Sequence, residues 1–167
     1  MKKPPFLYHA SFNKYVEIFE PREESVRDQE EGPVVFGTPN KTYVSMFMVK
    51  SNDSWTSKGR YNGVWYHAIS DEKRYRQLDK GGAIYTLPND TFETDPTRGM
   101  KSMEWVSKVS VKPTKKEVYS SGVRAMMENG VKVLFITKNV FADFKNLMER
   151  QETEKAFDLL FSCKPLH

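Results

Sequence analysis

The chain has 167 residues, of which 38% are hydrophobic and 29% are charged, a composition typical of one folded domain spanning residues 1–167 rather than of a disordered segment. Basic residues outnumber acidic ones by 26 to 22, an excess too small to indicate a nucleic-acid-binding protein by itself. No apolar run reaches the roughly 18 residues of a membrane span, and no leader-like apolar segment follows the first residues, so we expect a cytoplasmic protein with no membrane partner.

The few cysteines and histidines limit the metal and redox chemistry of this chain. Cys163 is the single cysteine, so no disulfide forms within the chain. The three histidines are His9, His67 and His167, and because no two of them stand at metal-binding spacing, the sequence predicts no metal site. The chain also lacks a phosphate-binding glycine-rich loop and a Gly-x-Ser-x-Gly nucleophile motif.

Short apolar and aromatic runs predict the strands of the first half of the chain. The first run follows Pro4 and Pro5, which set where it starts. Two polar segments interrupt these runs, at 20–31 and 50–62, and both are predicted to be loops. Strands are expected at 6–10, 15–19, 34–36, 64–69 and 83–87.

Capping residues followed by apolar residues at helical spacing predict the helices. Thr38 before Pro39 is typical of a helix start, and Asp71 after Ser70 is a second such start. Asn129-Gly130 is a stop signal for a later helix. Helices are expected at 39–49, 71–78, 115–128, 141–148 and 153–161.

The second half of the chain adds two further strands and a long loop. Residues 88–101 contain prolines and turn-forming side chains, which predicts an exposed loop bordering a site. Residues 104–111 alternate in polarity as a half-buried strand does, and 131–137 is the most hydrophobic strand candidate. The outline is an α+β fold with about six short strands and four or five helices.

Three short segments place a histidine, aromatic rings and an acid at the ends of predicted elements. The first is Leu7-Tyr8-His9-Ala10-Ser11, the second is Val35-Phe36-Gly37-Thr38 with Phe47 on the following helix, and the third begins at Glu104. These segments resemble the three motifs of the ADP-ribosyltransferase-like superfamily. The resemblance implies two small, mostly antiparallel sheets that form a cleft with flanking helices, in which NAD binds as a substrate.

The resemblance also implies a role for each matched residue. His9 would hydrogen-bond the ribose next to nicotinamide, the backbone at Ala10 would hold the carboxamide, and Phe47 would stack on the nicotinamide ring. Glu104 would be the catalytic acid, which stabilises the positive charge on the ribose as the glycosidic bond breaks. The remaining matched positions would also contact the cofactor, namely Ser11, Phe36 and Thr38.

The chain departs from the family pattern at several positions. Ala10 replaces the usual glycine, and Ser102 stands where arginine-modifying members carry a second acid. Glu93 is the reserve candidate for the catalytic acid. The resemblance therefore leaves open a transferase acting on a protein or nucleic acid, an NAD hydrolase, and a degenerate member that keeps the cleft without turnover.

A second interpretation makes the chain a non-enzymatic module that binds nucleic acid or a protein. Aromatic and cationic side chains intermingle in its centre, as in surfaces that stack bases and hold phosphates. The set is Tyr61, Trp65, Tyr66, Tyr75 and Tyr85 with Arg60, Arg74 and Arg76. The basic run at 112–116 and the pair Lys73-Arg74 are further candidates for phosphate contact.

Overall fold

The computed structural model describes residues 2–22, 32–94 and 103–167. Parts of the predicted loops at 20–31 and 88–101 lie outside the described residues, as does Ser102. In chain order the elements are β1 (Phe6–Ser11), β2 (Val35–Gly37), α1 (Lys41–Ser45), β3 (Thr56–Tyr61), β4 (Val64–Ile69), α2 (Glu72–Leu78), β5 (Gly82–Pro88), β6 (Trp105–Ser107), β7 (Lys115–Tyr119), α3 (Gly122–Glu128), β8 (Lys132–Phe135), α4 (Lys138–Glu149) and α5 (Thr153–Phe161).

These elements form an α+β fold with small antiparallel and mixed sheets, as the composition and patterning predict. Strands β1, β5 and β7 form an antiparallel sheet with β5 in the centre, and β2 pairs with β6. A bridge between Tyr8 and Thr38 joins these two sheets, so five strands make one interrupted antiparallel sheet. The other sheet is β3-β4-β8, in which β8 runs parallel to β4.

Buried side chains pack on both sheets and between them. One cluster, which includes Leu7 and Phe92, lies against the interrupted sheet. Helices α4 and α5 cover the mixed sheet through Phe144, Phe157 and Leu160, which are almost fully buried. Burial of such side chains is the main favourable contribution to folding. Among the described residues, no helix is both long and apolar enough to cross a membrane.

Several predicted elements are confirmed closely. β4 and α5 have the predicted bounds, and α2 begins one residue later, after Asp71, whose side chain accepts a hydrogen bond from Arg74 N as an N-cap does. The other confirmed elements agree to within a few residues: β1, β2, β5, β8 and α4.

The prediction of a loop over 50–62 is wrong, because β3 fills its second half. β3 pairs with β4 in register through a two-residue turn, Asn62-Gly63. Both turn residues have positive φ, 48° and 77°, the conformation that a tight hairpin requires and that Asn-Gly favours. This dipeptide is a hairpin signal that the polar composition of the segment obscured.

The helix predicted over 115–128 is instead a strand followed by a shorter helix. β7 pairs with the edge of β5 that β1 leaves unpaired. The backbone N–H and C=O groups of 115–119 therefore find hydrogen-bond partners in the sheet. Ser121 then caps α3 by accepting a hydrogen bond from Arg124 N at 3.0 Å. Pairing with β5 therefore outweighs the helical spacing of the apolar residues.

Three other predictions differ from the structure: α1 and β6 are shorter than predicted, and the strand predicted over 15–19 does not form. α1 ends at Ser45 and begins after Asn40, whose side chain accepts from Tyr43 N; Thr38 is not the cap because its backbone pairs with Tyr8. The run at 15–19 forms no strand and is held by a bridge from Phe19 to Val111 and by a hydrogen bond from Val16 N to the hydroxyl of Tyr85. β6 covers only the start of the strand predicted over 104–111.

Candidate functional site

A cavity of about 430 Å³ lies where β1, β2, α1 and the start of β6 meet. Its volume is in the range of ligand pockets, roughly 300–1,000 Å³. It is lined by Tyr8, His9, Ala10, Phe36, Gly37, Thr38, Tyr43, Val44, Phe47, Met103 and Glu104. Six of the seven candidate site residues, from three distant parts of the chain, thus contribute to one cavity.

Strand register explains why these distant segments meet. Tyr8 and Thr38 exchange two backbone hydrogen bonds of 2.7 and 3.0 Å. Gly37 pairs with Trp105 in the antiparallel ladder of β2 and β6, and extending that register by one residue brings Thr38 opposite Glu104. Because neighbouring strands are about 4.8 Å apart, the backbones at Tyr8 and Glu104 are separated by about 10 Å.

His9 lies in the cavity wall with one ring nitrogen engaged. Its Nδ1 is 2.8 Å from the carbonyl oxygen of Phe36, and since a carbonyl only accepts, Nδ1 carries the proton. Burial is the main cause that lowers the pKa of His9, and the positive charge of Arg22 lowers it further, against the hydrogen bond to Phe36. The imidazole is therefore neutral at neutral pH, and its Nε2 is an acceptor.

The backbone of Ala10 presents a donor and an acceptor on the same strand edge. Tyr8 directs its N–H and C=O to Thr38, so in the antiparallel pattern they point away from β5. Ala10 is two residues further along β1, so its N–H and C=O also point away from β5. They lie past Tyr8, the residue of β1 that bridges to Thr38. This edge lies at the cavity.

Aromatic rings form one wall of the cavity. Tyr43 and Phe47 are one helical turn apart and meet edge to face, with ring centroids 4.9 Å apart. Behind Tyr43 lies Trp65, at 5.3 Å. Phe47 is 43% exposed, and the ammonium of Lys58 lies 4.4 Å over its ring. The ring of Phe47 thus contacts both a phenol and a cation, and its exposed part is the surface that a flat ligand can contact.

Glu104 stands at the mouth of the cavity, directly before β6. Its carbonyl accepts a hydrogen bond of 3.0 Å from the hydroxyl of Thr94, which attaches its backbone to the neighbouring segment. Burial, together with the negative charge of Glu104, raises the pKa of Tyr43 to about 12. Tyr43 is therefore a protonated phenol at all physiological pH values, in the field of the carboxylate.

Two candidate residues lie elsewhere. Glu93 is exposed and pairs through its backbone with Val106, and it does not line the cavity. Ser11 lines a second, smaller cavity of about 200 Å³, where its hydroxyl accepts a hydrogen bond from Asn13 N. The two cavities share His9 and Phe36.

The sequence interpretation missed two phenols in the cavity wall, those of Tyr8 and Tyr43. Tyr43 lies on the predicted helix 39–49, where it precedes Phe47 by four residues and so shares its face. Tyr8 directly precedes His9. Each tyrosine stands next to a candidate residue, either in sequence or on one helix face, and this proximity is the signal that could have identified both phenols.

The aromatic and cationic set proposed as a binding surface is mostly packing. Tyr66, Tyr75 and Tyr85 are at most 6% exposed, and burial raises the pKa of Tyr66 and Tyr75. Tyr61 stacks on Phe157 with centroids 3.9 Å apart. Tyr66, Tyr75 and Tyr85 are therefore not available for bases, and packing is the role that the structure gives these three rings.

No cluster of three metal-ligating side chains occurs within residues 2–22, 32–94 and 103–167. No protein-family model, no curated protein and no solved structure matches this chain. The chemistry of the cavity itself is the basis for a functional assignment.

Proposed function

We propose that this chain binds NAD in the larger cavity and cleaves the bond between nicotinamide and ribose, passing ADP-ribose to a macromolecule or to water. The observation that supports this most is the convergence of His9, Phe47 and Glu104 on one cavity. An acceptor nitrogen, a flat apolar face and a carboxylate are the groups that a ribosyl-nicotinamide needs.

The nicotinamide end matches the strand edge and the aromatic wall. A primary carboxamide has one acceptor oxygen and a donor NH₂ group, which complement the N–H and C=O of Ala10. The pyridinium ring then lies against Phe47 and gains from contact between a cation and an aromatic face. The methyl of Ala10 projects out of the pleat, whereas its hydrogen-bonding groups lie in the sheet, so alanine in place of glycine leaves the carboxamide contact possible.

Cleavage of the bond between nicotinamide and ribose develops positive charge on the ribose, and the polar residues of the cavity stabilise and orient this sugar. The bond from the ribose carbon to the ring nitrogen breaks, and its electron pair goes to the nitrogen, so nicotinamide leaves neutral. Positive charge develops on the ribose, where the carboxylate of Glu104 stabilises it. Nε2 of His9 accepts a hydrogen bond from a ribose hydroxyl and orients the sugar. A nucleophile, water or a group of the acceptor macromolecule, then bonds to the ribose carbon, and its proton passes to solvent water.

The test measures NAD binding and nicotinamide release in the same variants. NAD at about 100 times its Kd should stabilise the wild-type fold by about 2.7 kcal/mol, seen as a rise in Tm. We expect Glu104→Gln to keep this rise and to lose nicotinamide release by about 100- to 1,000-fold, since it removes the charge but not the shape. His9→Ala should reduce the rise in Tm itself.

Glu93→Gln is the matched control, because it makes the same chemical change outside the cavity. It should bind and cleave NAD as the wild type does. Binding without release in the wild type would make the chain a degenerate member, and a Tm unaffected by NAD would refute the proposal. Full activity in Glu104→Gln with loss in Glu93→Gln would transfer the role of the acid to Glu93.

A further inference from the structure

An open groove of about 570 Å³ lies on the other side of the loop that follows β1. One wall is formed by residues 16–18 and the other by 112–116. The second wall contributes Lys112, Lys115 and Lys116, all exposed, whereas Glu17 is the acid among the lining residues. The groove therefore has a basic wall of the kind that attracts a polyanion.

Two large aromatic side chains stand exposed on the loop after β1, of which Tyr15 lies beside Lys116 and Phe12 lines the smaller cavity. Phe12 is 77% exposed and Tyr15 is 81% exposed. The ammonium of Lys116 lies 5.4 Å from the centre of the Tyr15 ring and donates a hydrogen bond to the carbonyl of Lys14. An exposed aromatic ring next to a cation is the arrangement on which a base of a nucleic-acid strand can stack.

The acidic residues near the groove do not neutralise it. Glu117, which follows Lys116, forms an ion pair with Lys41 and lies 3.8 Å from Lys115. Its charge is thus shared with Lys41, on α1. Within the described residues neither Lys112 nor Lys116 forms an ion pair, and the ammonium of Lys116, which donates one hydrogen bond to the carbonyl of Lys14, keeps two N–H groups for a phosphate.

The core holds the loop in place, so the groove exists before any ligand arrives. The buried hydroxyl of Tyr85 donates a hydrogen bond of 2.6 Å to Asn13 O and accepts one of 3.0 Å from Val16 N. Phe19 and Val111 exchange two backbone hydrogen bonds of 2.8 Å. A preformed groove loses less entropy on binding than a disordered one.

We propose that this groove binds a single-stranded polynucleotide, with phosphates on Lys112 and Lys116 and a base stacked on Tyr15. A polynucleotide strand alternates anionic groups with flat rings, and this alternation matches the pairing of the lysines with the exposed ring of Tyr15. A lipid surface would need the rings on a protruding tip, whereas the lysines here line a concave wall.

The position of the groove gives the polynucleotide a role in the proposed reaction. The loop after β1 also lines the smaller cavity, which shares His9 and Phe36 with the NAD cavity. A strand in the groove would lie near the smaller cavity and would supply the nucleophile, a base nitrogen or a hydroxyl, which bonds to the ribose carbon as nicotinamide leaves with the electron pair and the proton of the nucleophile passes to water. This role rests on the proposed NAD chemistry, whereas the binding itself does not.

The experiment measures binding of a labelled oligothymidylate of about 20 nucleotides by fluorescence anisotropy, without NAD, over a series of salt concentrations. Each phosphate contact contributes about 0.7 to the slope of log K against log salt for single strands. We expect the double variant Lys112→Gln/Lys116→Gln to bind at least about tenfold more weakly, with a slope smaller by about 1.4. Tyr15→Ala should weaken binding about tenfold with the slope unchanged.

Lys80→Gln/Lys138→Gln is the control, since it removes the same charge from exposed positions after α2 and at the start of α4 and should bind as the wild type does. An equal loss in this control, the absence of binding at low salt, or a preference for anionic vesicles over the oligonucleotide would each overturn the proposal. The rise in Tm with NAD is measured in the same variants. It should be unchanged, which separates a failure of the groove from a failure of the NAD cavity.

Discussion

Tyr43 is the side chain through which the aromatic wall and the carboxylate of the cavity influence each other. It contacts Phe47 and Trp65 through its ring, and its phenol lies in the field of Glu104, which together with burial raises its pKa to about 12. A neutral phenol donates a hydrogen bond but carries no negative charge, so the carboxylate of Glu104 is the group that stabilises positive charge. In the proposed reaction Tyr43 therefore suits a positioning role, whereas the role proposed for Glu104 is contact with the substrate.

Tyr43→Phe tests this role because it keeps the ring and removes the phenol. We expect kcat for nicotinamide release to fall about tenfold, as for loss of one oriented polar contact near the reacting atoms, with KM for NAD little changed. Tyr61→Phe makes the same change on the face covered by α5 and should leave both constants as they are. A rise in KM alone would mean that the phenol serves only in binding.

At the scale of elements, one carboxylate connects α2 to α3. Asp79 follows α2, and its oxygens accept hydrogen bonds from the backbone N–H groups of Gly81, Gly122 and Val123, at 3.0, 2.6 and 3.1 Å. The last two belong to the first turn of α3, whose N–H groups have no partner within the helix. The charge and the three bonds therefore set where α3 begins relative to α2.

Asp79→Ala should lower the free energy of unfolding by about 3 kcal/mol, since it leaves several partly buried N–H groups without a partner. Asp71→Ala removes a single N-cap bond from α2 and should cost about 1 kcal/mol. Urea denaturation measures both. Equal losses in the two variants would show that Asp79 acts only as an ordinary cap.

At the scale of the whole molecule, a histidine without solvent contact ties stability to pH. His67 is 0% exposed, its Nδ1 lies 3.2 Å from Met126 Sδ, and its Nε2 has no hydrogen-bond partner. Burial, with a smaller effect from the charge of Lys58, lowers the pKa of His67 to about 3. The folded protein therefore holds this side chain neutral in the core.

Protonation of His67 favours the unfolded chain in acid. In the unfolded state the histidine binds a proton below about pH 6.5, whereas in the folded state it binds one only near pH 3. The free energy of unfolding should thus fall as pH drops from 6.5 towards 3, by up to about 1.4 kcal/mol per pH unit. His9, whose pKa is also lowered, acts in the same direction.

His67→Leu removes the titrating group and the unpaired nitrogen. We expect the variant to gain about 2 kcal/mol relative to the wild type between pH 7.5 and pH 5, because only the wild type takes up this proton on unfolding. Denaturant titrations at both pH values measure the difference. Parallel loss of stability in the two proteins would contradict the assignment of His67.

The elements with local signals were predictable, and those that depend on pairing were not. The capped helix after Asp71 and the apolar strand β4 are confirmed because their signals lie within a few residues of chain. The strand β7 was missed because its partner β5 is distant in sequence. The candidate residues His9, Phe47 and Glu104 were chosen by resemblance, and the phenol of Tyr43 was not among them.

The order of residues alone determined an α+β chain with buried apolar runs, capped helices and a set of aromatic and acidic side chains scattered over about a hundred positions. Only the tertiary structure decided that Tyr8 pairs with Thr38, and that Glu104 thereby joins their cavity. Backbone pairing between distant strands depends on which edges remain unpaired once the core has formed. That outcome belongs to the fold as a whole and to no single segment.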